Sequence, residues 1–423
     1  MTPEIKQRIQ QIRQGKNNGI QYVRITDMDL DIIDGDRGKN YPHGDELLSN
    51  GYCLFLSAEN VTKTGFRFDN NQFITKEKDY ALRNGRMVRD DIVITTRGSI
   101  GHVAYYDDKV PFDRIRINSG MLIIRNKKEQ INMKYLYQVL AGDWFQKQIL
   151  LTQTGSAQPQ FPKSIFSKMK LPLPPLPEQT AIAEILSTQD RVIELKEQLL
   201  AEKKRQKKYL MQQLLTGKMR LKGFKGEWKK CRLGEVAKFS KGYGYSKSDI
   251  SINGEIPIIL YGRLYTNYKT IIKDIDTYTN TKIRNAVFSK GNEVIVPASG
   301  ETAEDIAIAS CIEPEGVILG GDLNIIYPNE TILPSYLANL ISYGPLHLEL
   351  SKKAQGKSVV HLHNDDLSNV IIEFPPLPEQ TAIAEILSTA DREIELIGQS
   401  IEVEKRKKKS LMQLLLTGIV RVP

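Results

Sequence analysis

The sequence predicts an α+β protein: two globular domains of the same fold, joined by two long antiparallel coiled-coil helices in a pseudo-two-fold symmetric arrangement. Three observations carry that expectation. The fifteen residues PPLPEQTAIAEILST stand at Pro174–Thr188 and again, unchanged, at Pro375–Thr389. Each copy opens a stretch with apolar residues at heptad steps. Ahead of each copy lies a region of short β-like runs, and the two regions differ in almost every letter.

The repeat extends beyond the quoted run. Pro174–Gly217 aligns with Pro375–Gly418 without a gap, and 32 of the 44 positions are identical. The same offset of 201 matches Tyr135-Leu136 with Tyr336-Leu337 and Gly155 with Gly356. A period this long marks a duplicated domain, not a solenoid. The chain then divides into a first globular domain at 1–173, with an N-terminal helix at about 3–15, a central helix at 174–218, a second globular domain at 219–374 and a C-terminal helix at 375–423.

The repeated part is helical, because no Pro or Gly interrupts it between Pro177 and Gly217. Alternating steps of four and three from Ile182 pass Leu186, Gln189, Ile193, Lys196, Leu200, Lys203, Lys207, Leu210 and Leu214. From Ile383 they pass Leu387, Ala390, Ile394, Ile397, Ile401, Glu404, Lys408, Leu411 and Leu415. Six of ten seam positions are apolar in the first copy and eight of ten in the second. A helix of this length runs about 50 Å, and one apolar stripe along it needs a partner. The nearest is the other copy. The second domain leaves the end of one helix and returns to the start of the other through short connectors such as KMRLKGFKGEW. That topology calls for antiparallel pairing, with the first domain at the opposite end. The basic runs Lys203–Lys208 and Glu404–Lys409 read as solvated helix faces.

In the first domain DIVITTRGSIGHVAYY (Asp91–Tyr106) and SGMLIIR (Ser119–Arg125) alternate as half-buried strands do. NEVIVPASG (Asn292–Gly300) and GGDLNIIY (Gly320–Tyr327) take the equivalent places in the second. Several loops mix cations, amides and aromatics with glycine, which lets a backbone approach a groove while Arg, Lys, Gln and Asn meet base edges. Candidate DNA contacts in the first domain are Arg37, Lys39, Asn40, Tyr41, Arg97, Ser156, Gln158, Gln160 and Lys163. In the second they are Lys241, Tyr243, Tyr245, Lys247, Lys353, Gln355, Lys357, Ser358, His361 and His363. Any one of these alone reads more readily as ordinary loop surface; their recurrence in matching positions is what points to a groove.

No catalytic signature stands. The Gly356–Ser358 run lacks the earlier glycine of a phosphate loop, since position 351 is Ser. There is no Gly-x-Ser-x-Gly elbow, no paired Cys-x-x-Cys, no zinc-protease helix and no Asn/Asp-Pro-Pro-aromatic loop of an amino-methyltransferase. His361 and His363 fall on one side of a strand, but no third ligand of clear spacing accompanies them, so no metal is expected. Three distant cysteines argue against a disulfide framework. The longest apolar stretches are far short of the roughly 20 residues of a membrane span, and the polar N-terminus is unlike a signal peptide. A cytoplasmic protein is expected. The net charge of +9 makes a polyanionic partner natural.

Two dissimilar domains, each followed by a near-identical helix opening PLPEQTAIAEIL, resemble the specificity (S) subunit of type I restriction–modification systems. The resemblance covers essentially the whole chain. WKKCRLGEV (Trp228–Val236) and GSAQPQFPKSIFSKMKLPLPPLPEQ are typical of that family as well. The first domain departs from the pattern: it has no counterpart to Trp228 and Leu233-Gly234-Glu235 at its start and opens with PEIKQRIQQI. The resemblance implies that the globular domains are target-recognition domains, each reading one half of a split, asymmetric site on double-stranded DNA. It implies that the helices set the spacer and dock two methyltransferase subunits, and that two restriction/translocase subunits join them. The chain itself would carry out no catalysis and hold no cofactor; S-adenosylmethionine, ATP and Mg²⁺ would belong to the partner subunits. Two other readings are a coiled-coil adaptor whose globular ends bind proteins, and a free-standing nuclease. The missing catalytic constellation counts against the nuclease.

Overall fold

The computed structural model describes residues 20–128, 130–152, 160–354 and 359–422. The expected N-terminal helix, the Gly155/Gly356 match and the candidates Ser156, Gln158, Gln355, Lys357 and Ser358 lie outside the described residues. The chain forms two compact units. One runs to Glu197 and takes in the residues from Ser400 onward; the other is Gln198–Gln399. Each unit therefore contains one globular region and a half of each long helix.

In the first unit a four-stranded antiparallel sheet has the order Leu30–Asp34, Met121–Asn126, Ile92–Thr95, Val103–Tyr105. A smaller sheet holds Cys53–Leu56 parallel to Ile115–Ile117 and antiparallel to Phe73–Ile74. Ile92, Ile94, Leu122 and Ile124 pack on the helices Met133–Ala141, Asp143–Thr152 and Lys163–Lys168. Val93, Met121 and Ile123 pack on Leu54, Leu56, Ile115 and Ile117 of the smaller sheet. These strands are thus buried on both faces, not half-buried as their alternation suggested, which is why they read as near-continuous apolar runs.

The second unit repeats this plan with other residues. Its main sheet has the order Ala237–Lys241, Leu323–Pro328, Glu293–Pro297, Ser310–Ile312, with Ile271–Ile272 added in parallel at the edge. Its smaller sheet again sets a parallel pair, Ile256–Ile259 with Glu315–Leu319, at its centre. Each unit also closes with a two-stranded ribbon, Gln21–Arg24 with Lys170–Leu173 and Lys229–Arg232 with Ile371–Phe374. The opening of the first unit therefore does have a counterpart to the opening of the second. A 3-10 turn follows each opening strand, and buried Ile25 occupies the place of buried Leu233.

The long helices are Leu176–Leu214 and Leu377–Leu416. Several letters of their repeated opening have a structural task. The Gln179 amide donates to the Pro174 carbonyl at 2.9 Å and accepts from the Asn132 N–H at 3.0 Å. Gln380 does the same with Pro375 at 2.8 Å and Leu333 at 2.7 Å. Ile182, Ala183 and Leu186 join the first unit's core, and Ile383 and Leu387 the second's. Each helix ends on a glycine at φ +68°, Gly217 or Gly418, the left-handed backbone that closes a helix at least cost.

Within each unit the two helix halves run antiparallel. In the first, Glu178 meets Arg421, Asp190 meets Lys408 at 2.6 Å, and Lys196 meets Glu404 at 2.8 Å. In the second, Lys203 meets Glu393 at 2.7 Å, Lys207 meets Asp391 at 2.6 Å, and Arg220 meets Glu379. Numbers rise along one helix as they fall along the other. The seam side chains Ile182, Leu186, Leu214, Ile383, Leu387, Ile401 and Leu415 are buried, and Ile193, Leu200, Leu210, Ile394, Ile397 and Leu411 are half-buried. The basic runs are not simply solvated faces: Lys207 is buried, and Lys203 and Lys408 are half-buried against acids of the facing helix. Offsetting charge is what lets lysine occupy a seam position.

Candidate nucleic-acid interface

In the first unit the strand Ile92–Thr95 runs out into Thr96 and Arg97, where a second segment comes alongside. The Phe161 N–H donates to the Thr96 carbonyl at 3.0 Å, and Arg97 pairs with Gln160 as an antiparallel bridge. Phe161 is fully buried and sets its ring edge-on to Phe166. Arg97 and Gln160 are exposed. Buried anchors thus alternate with outward side chains, the two-residue period of paired strands.

Beside this rung lies a cavity of about 270 Å³ lined in part by Asp34, Arg37, Arg97, Gln160 and Lys163. Arg37 donates to the Ser119 carbonyl at 3.2 Å, and Lys163 donates to the Ile32 carbonyl. The chain can turn here only because residue 35 is glycine: a Cβ would stand 2.0 Å from the Asn118 carbonyl oxygen. Asp36 accepts from the Gly38 and Arg83 N–H groups at 2.8 and 2.7 Å, and those bonds hold its carboxyl below the ordinary value. Lys39 is exposed. Asn40 and Tyr41 turn back instead: the Asn40 amide donates to the Ala81 carbonyl at 3.0 Å, and the half-buried Tyr41 ring meets Phe55 edge-on.

The second unit builds the same rung. The Leu362 N–H donates to the Ala298 carbonyl at 3.1 Å, and Ser299 pairs with His361. Leu362 is fully buried, as Phe161 is. The Ser299 hydroxyl and His361 Nδ1 are 3.1 Å apart, and the His361 and His363 rings stack at 6.3 Å with planes 4° apart. The His363 N–H donates to Asp366, capping the helix Asn364–Ser368. Asn364 donates to the Ser240 carbonyl, much as Lys163 reaches Ile32. Gly242 repeats Gly35: a Cβ there would stand 1.9 Å from the Gly320 carbonyl oxygen. Lys241, Tyr243 and Lys247 are exposed and Lys353 is half-buried.

Tyr245 does not fit the expectation of a base-contacting side chain. It is only 8% exposed, and its hydroxyl accepts from the Ile283 N–H at 3.1 Å. It anchors its loop from inside. Ser299 is the converse, a rung residue that sequence reasoning passed over. The available signal was the Arg97-Gly98 and Ser299-Gly300 match at the ends of equivalent strands. Among the described residues no three His, Cys, Asp or Glu side chains cluster so as to hold a metal ion. No helix among them is long and apolar enough to cross a membrane.

Known proteins share this duplicated architecture. The family model for the type I restriction modification DNA specificity domain matches twice, over residues 18–205 and 225–405. The type I restriction enzyme MjaVIII specificity subunit of Methanocaldococcus jannaschii is 28% identical over 393 residues, covering 88% of this chain and 87% of that protein. The putative MjaX specificity subunit of the same organism is 29% identical over 382 residues, covering 86% and 85%. Among solved structures, the S subunit from M. genitalium aligns with a TM-score of 0.57 at 14% identity, over 95% of this chain and 97% of that one. The HsdS subunit from Thermoanaerobacter tengcongensis aligns with a TM-score of 0.50 at 19% identity, over 95% and 97%. The chain belongs to the type I restriction modification DNA specificity family and is a specificity subunit with two target-recognition domains.

Proposed function

We propose that each unit reads one half of a bipartite, asymmetric site on double-stranded DNA. In this reading the paired helices set the spacer between the half-sites and carry two methyltransferase subunits, with two restriction/translocase subunits completing a cytoplasmic complex. The chain performs no chemistry itself; S-adenosylmethionine, ATP and Mg²⁺ are held by the partner subunits. One observation carries this reading. The same strand-and-rung scaffold occurs twice with unlike exposed side chains, while the helix openings stay identical. A shared framework with divergent tips suits two readers of different sequences that serve one common assembly. The net charge of +9 favours phosphate contact in addition.

The test is to replace residues 219–374 with the matching region of a relative and map methylated adenines made by the full complex. The expected result is a change confined to one half of the methylated motif. An unchanged motif refutes the reading, as does DNA binding that is absent or insensitive to salt, the behaviour of a protein-binding adaptor.

A further inference from the structure

We infer that the rung itself specifies sequence: Arg97 with Gln160 reads bases for the first unit, and His361, positioned by Ser299, reads them for the second. The inference rests on the proposed function, since it supposes that the units bind DNA.

The two rungs are the same place in the fold. Each follows the third strand of the main sheet in the order given above, each is fixed by a bond from a fully buried residue to the carbonyl just past that strand, and each unit has a loop glycine, Gly35 or Gly242, without room for a side chain. What differs is the pair of residues presented. A rung of two antiparallel strands sets its side chains roughly 5 Å apart on one face, a spacing that lets them meet neighbouring base edges. Backbone anchored on both strands gives the precision that a free loop lacks.

The chemistry of each pair is distinct. The Arg97 fork matches guanine O6 and N7 in the major groove, and the Gln160 amide matches adenine N6 and N7. The first unit is thus equipped for purines presented as two-acceptor and donor–acceptor edges. In the second unit Ser299 is buried and holds His361 through Nδ1. That contact leaves Nε2 as the ring's outward polar atom, a single contact in place of a fork. Ser299 is a positioning residue here, acting through the ring.

The experiment uses the full chain in complex with its modification and restriction subunits. Arg97→Ser with Gln160→His transplants the second rung onto the first. Methylated-adenine mapping on a random-sequence library reads the outcome. The expected result is altered or relaxed preference at one or two positions of a single half-site, with discrimination lost by about 5- to 150-fold, and the other half-site unchanged. Arg97→Lys keeps the charge and removes the fork. It should relax one position while leaving non-specific binding and its salt dependence nearly intact. Ser299→Ala should broaden the other half-site, and His361→Gln should move its preferred base, a shift that a purely structural role would not produce.

An unaltered motif in the folded transplant overturns the inference. So does weaker binding spread evenly over all sequences, the mark of phosphate contact. If the transplant does not fold, Arg97→Lys decides alone. Failure of the proposed function looks different: the unsubstituted complex would then methylate without two defined half-sites.

Discussion

The guanidinium of Arg421 grips the carboxylate of Glu178 at two points, Nε to Oε1 at 2.7 Å and Nη2 to Oε2 at 2.6 Å. The residues are 243 apart in sequence. Arg220 grips Glu379 with the same two distances, and each member stands 201 positions from its equivalent. In each unit the segment that leaves one long helix is therefore fastened to the first turn of the other.

Cutting that fastening should be costly. Arg421→Ala leaves Glu178, only 5% exposed, as a buried carboxylate without its cation. The expected loss is about 1–3 kcal/mol, read as a lower urea midpoint with an unchanged slope. Arg220→Ala should lose at least as much, because Glu379 is only 1% exposed.

Acid should act through the same carboxylate. The Arg421 bond holds Glu178 below its ordinary value of 4.5, and Lys196 holds Glu404 down likewise. A carboxylate depressed in the folded state stabilises fully above its unfolded pKa, and that contribution is lost as pH falls through the folded pKa. Between about pH 5 and 3 the melting temperature of Glu178→Gln should therefore decline less steeply than that of the parent. Parallel slopes would show that the pair contributes nothing to acid unfolding.

Seam charge is expected to be exchangeable only in pairs. Lys196 lies 2.8 Å from Glu404, which also accepts from Gln189 at 2.8 Å. Lys196→Glu sets two carboxylates together and should lower the urea midpoint. Adding Glu404→Lys should recover at least half. A double-mutant cycle with no coupling would disprove the contact.

The thiols should be silent. Cys53, Cys231 and Cys311 are all buried and free, and burial pushes Cys53 and Cys311 up to about 12. Thiolate is the reactive form. An aromatic disulfide reagent at pH 8 should leave both untouched in the folded protein and titrate three thiols in urea.

Helix length should set spacer length. One extra heptad in both long helices adds about 10 Å, or about three base pairs at 3.4 Å each. Motif mapping of the lengthened protein should show a spacer longer by that amount. An unchanged spacer would remove the measuring role from the helices.

The long helices were readable from sequence because their signal is local and periodic. None of the twenty positions stepped off from Ile182 and Ile383 is exposed. The lysines among them read as solvated, since their acids lie on the other helix, nearly 200 residues away. The opening ribbon of the first unit escaped notice for a related reason. QYVRI and KKCRL share only their arginine, and the equivalence lies in register and in one buried aliphatic residue. Tyr245 reads in the sequence as a loop contact to DNA; its φ of +51° and its bond to Ile283 are tertiary facts. Arg97, Gln160 and His361 stand out in the sequence by residue type and by loops that recur in both domains. Which of the nominees stand together on a rigid rung depended on strand pairing that no short window contains.

The difference between the two near-copies at one seam position has a consequence for kinship. Residue 203 of the first helix corresponds to 404 of the second, and the letters there are Lys and Glu. Two first helices embracing in the native manner would bring Lys196 against Lys203 twice, on either side of the middle of their contact, ammonium facing ammonium. The first helix is thus matched by charge to its near-copy and set against a duplicate of itself.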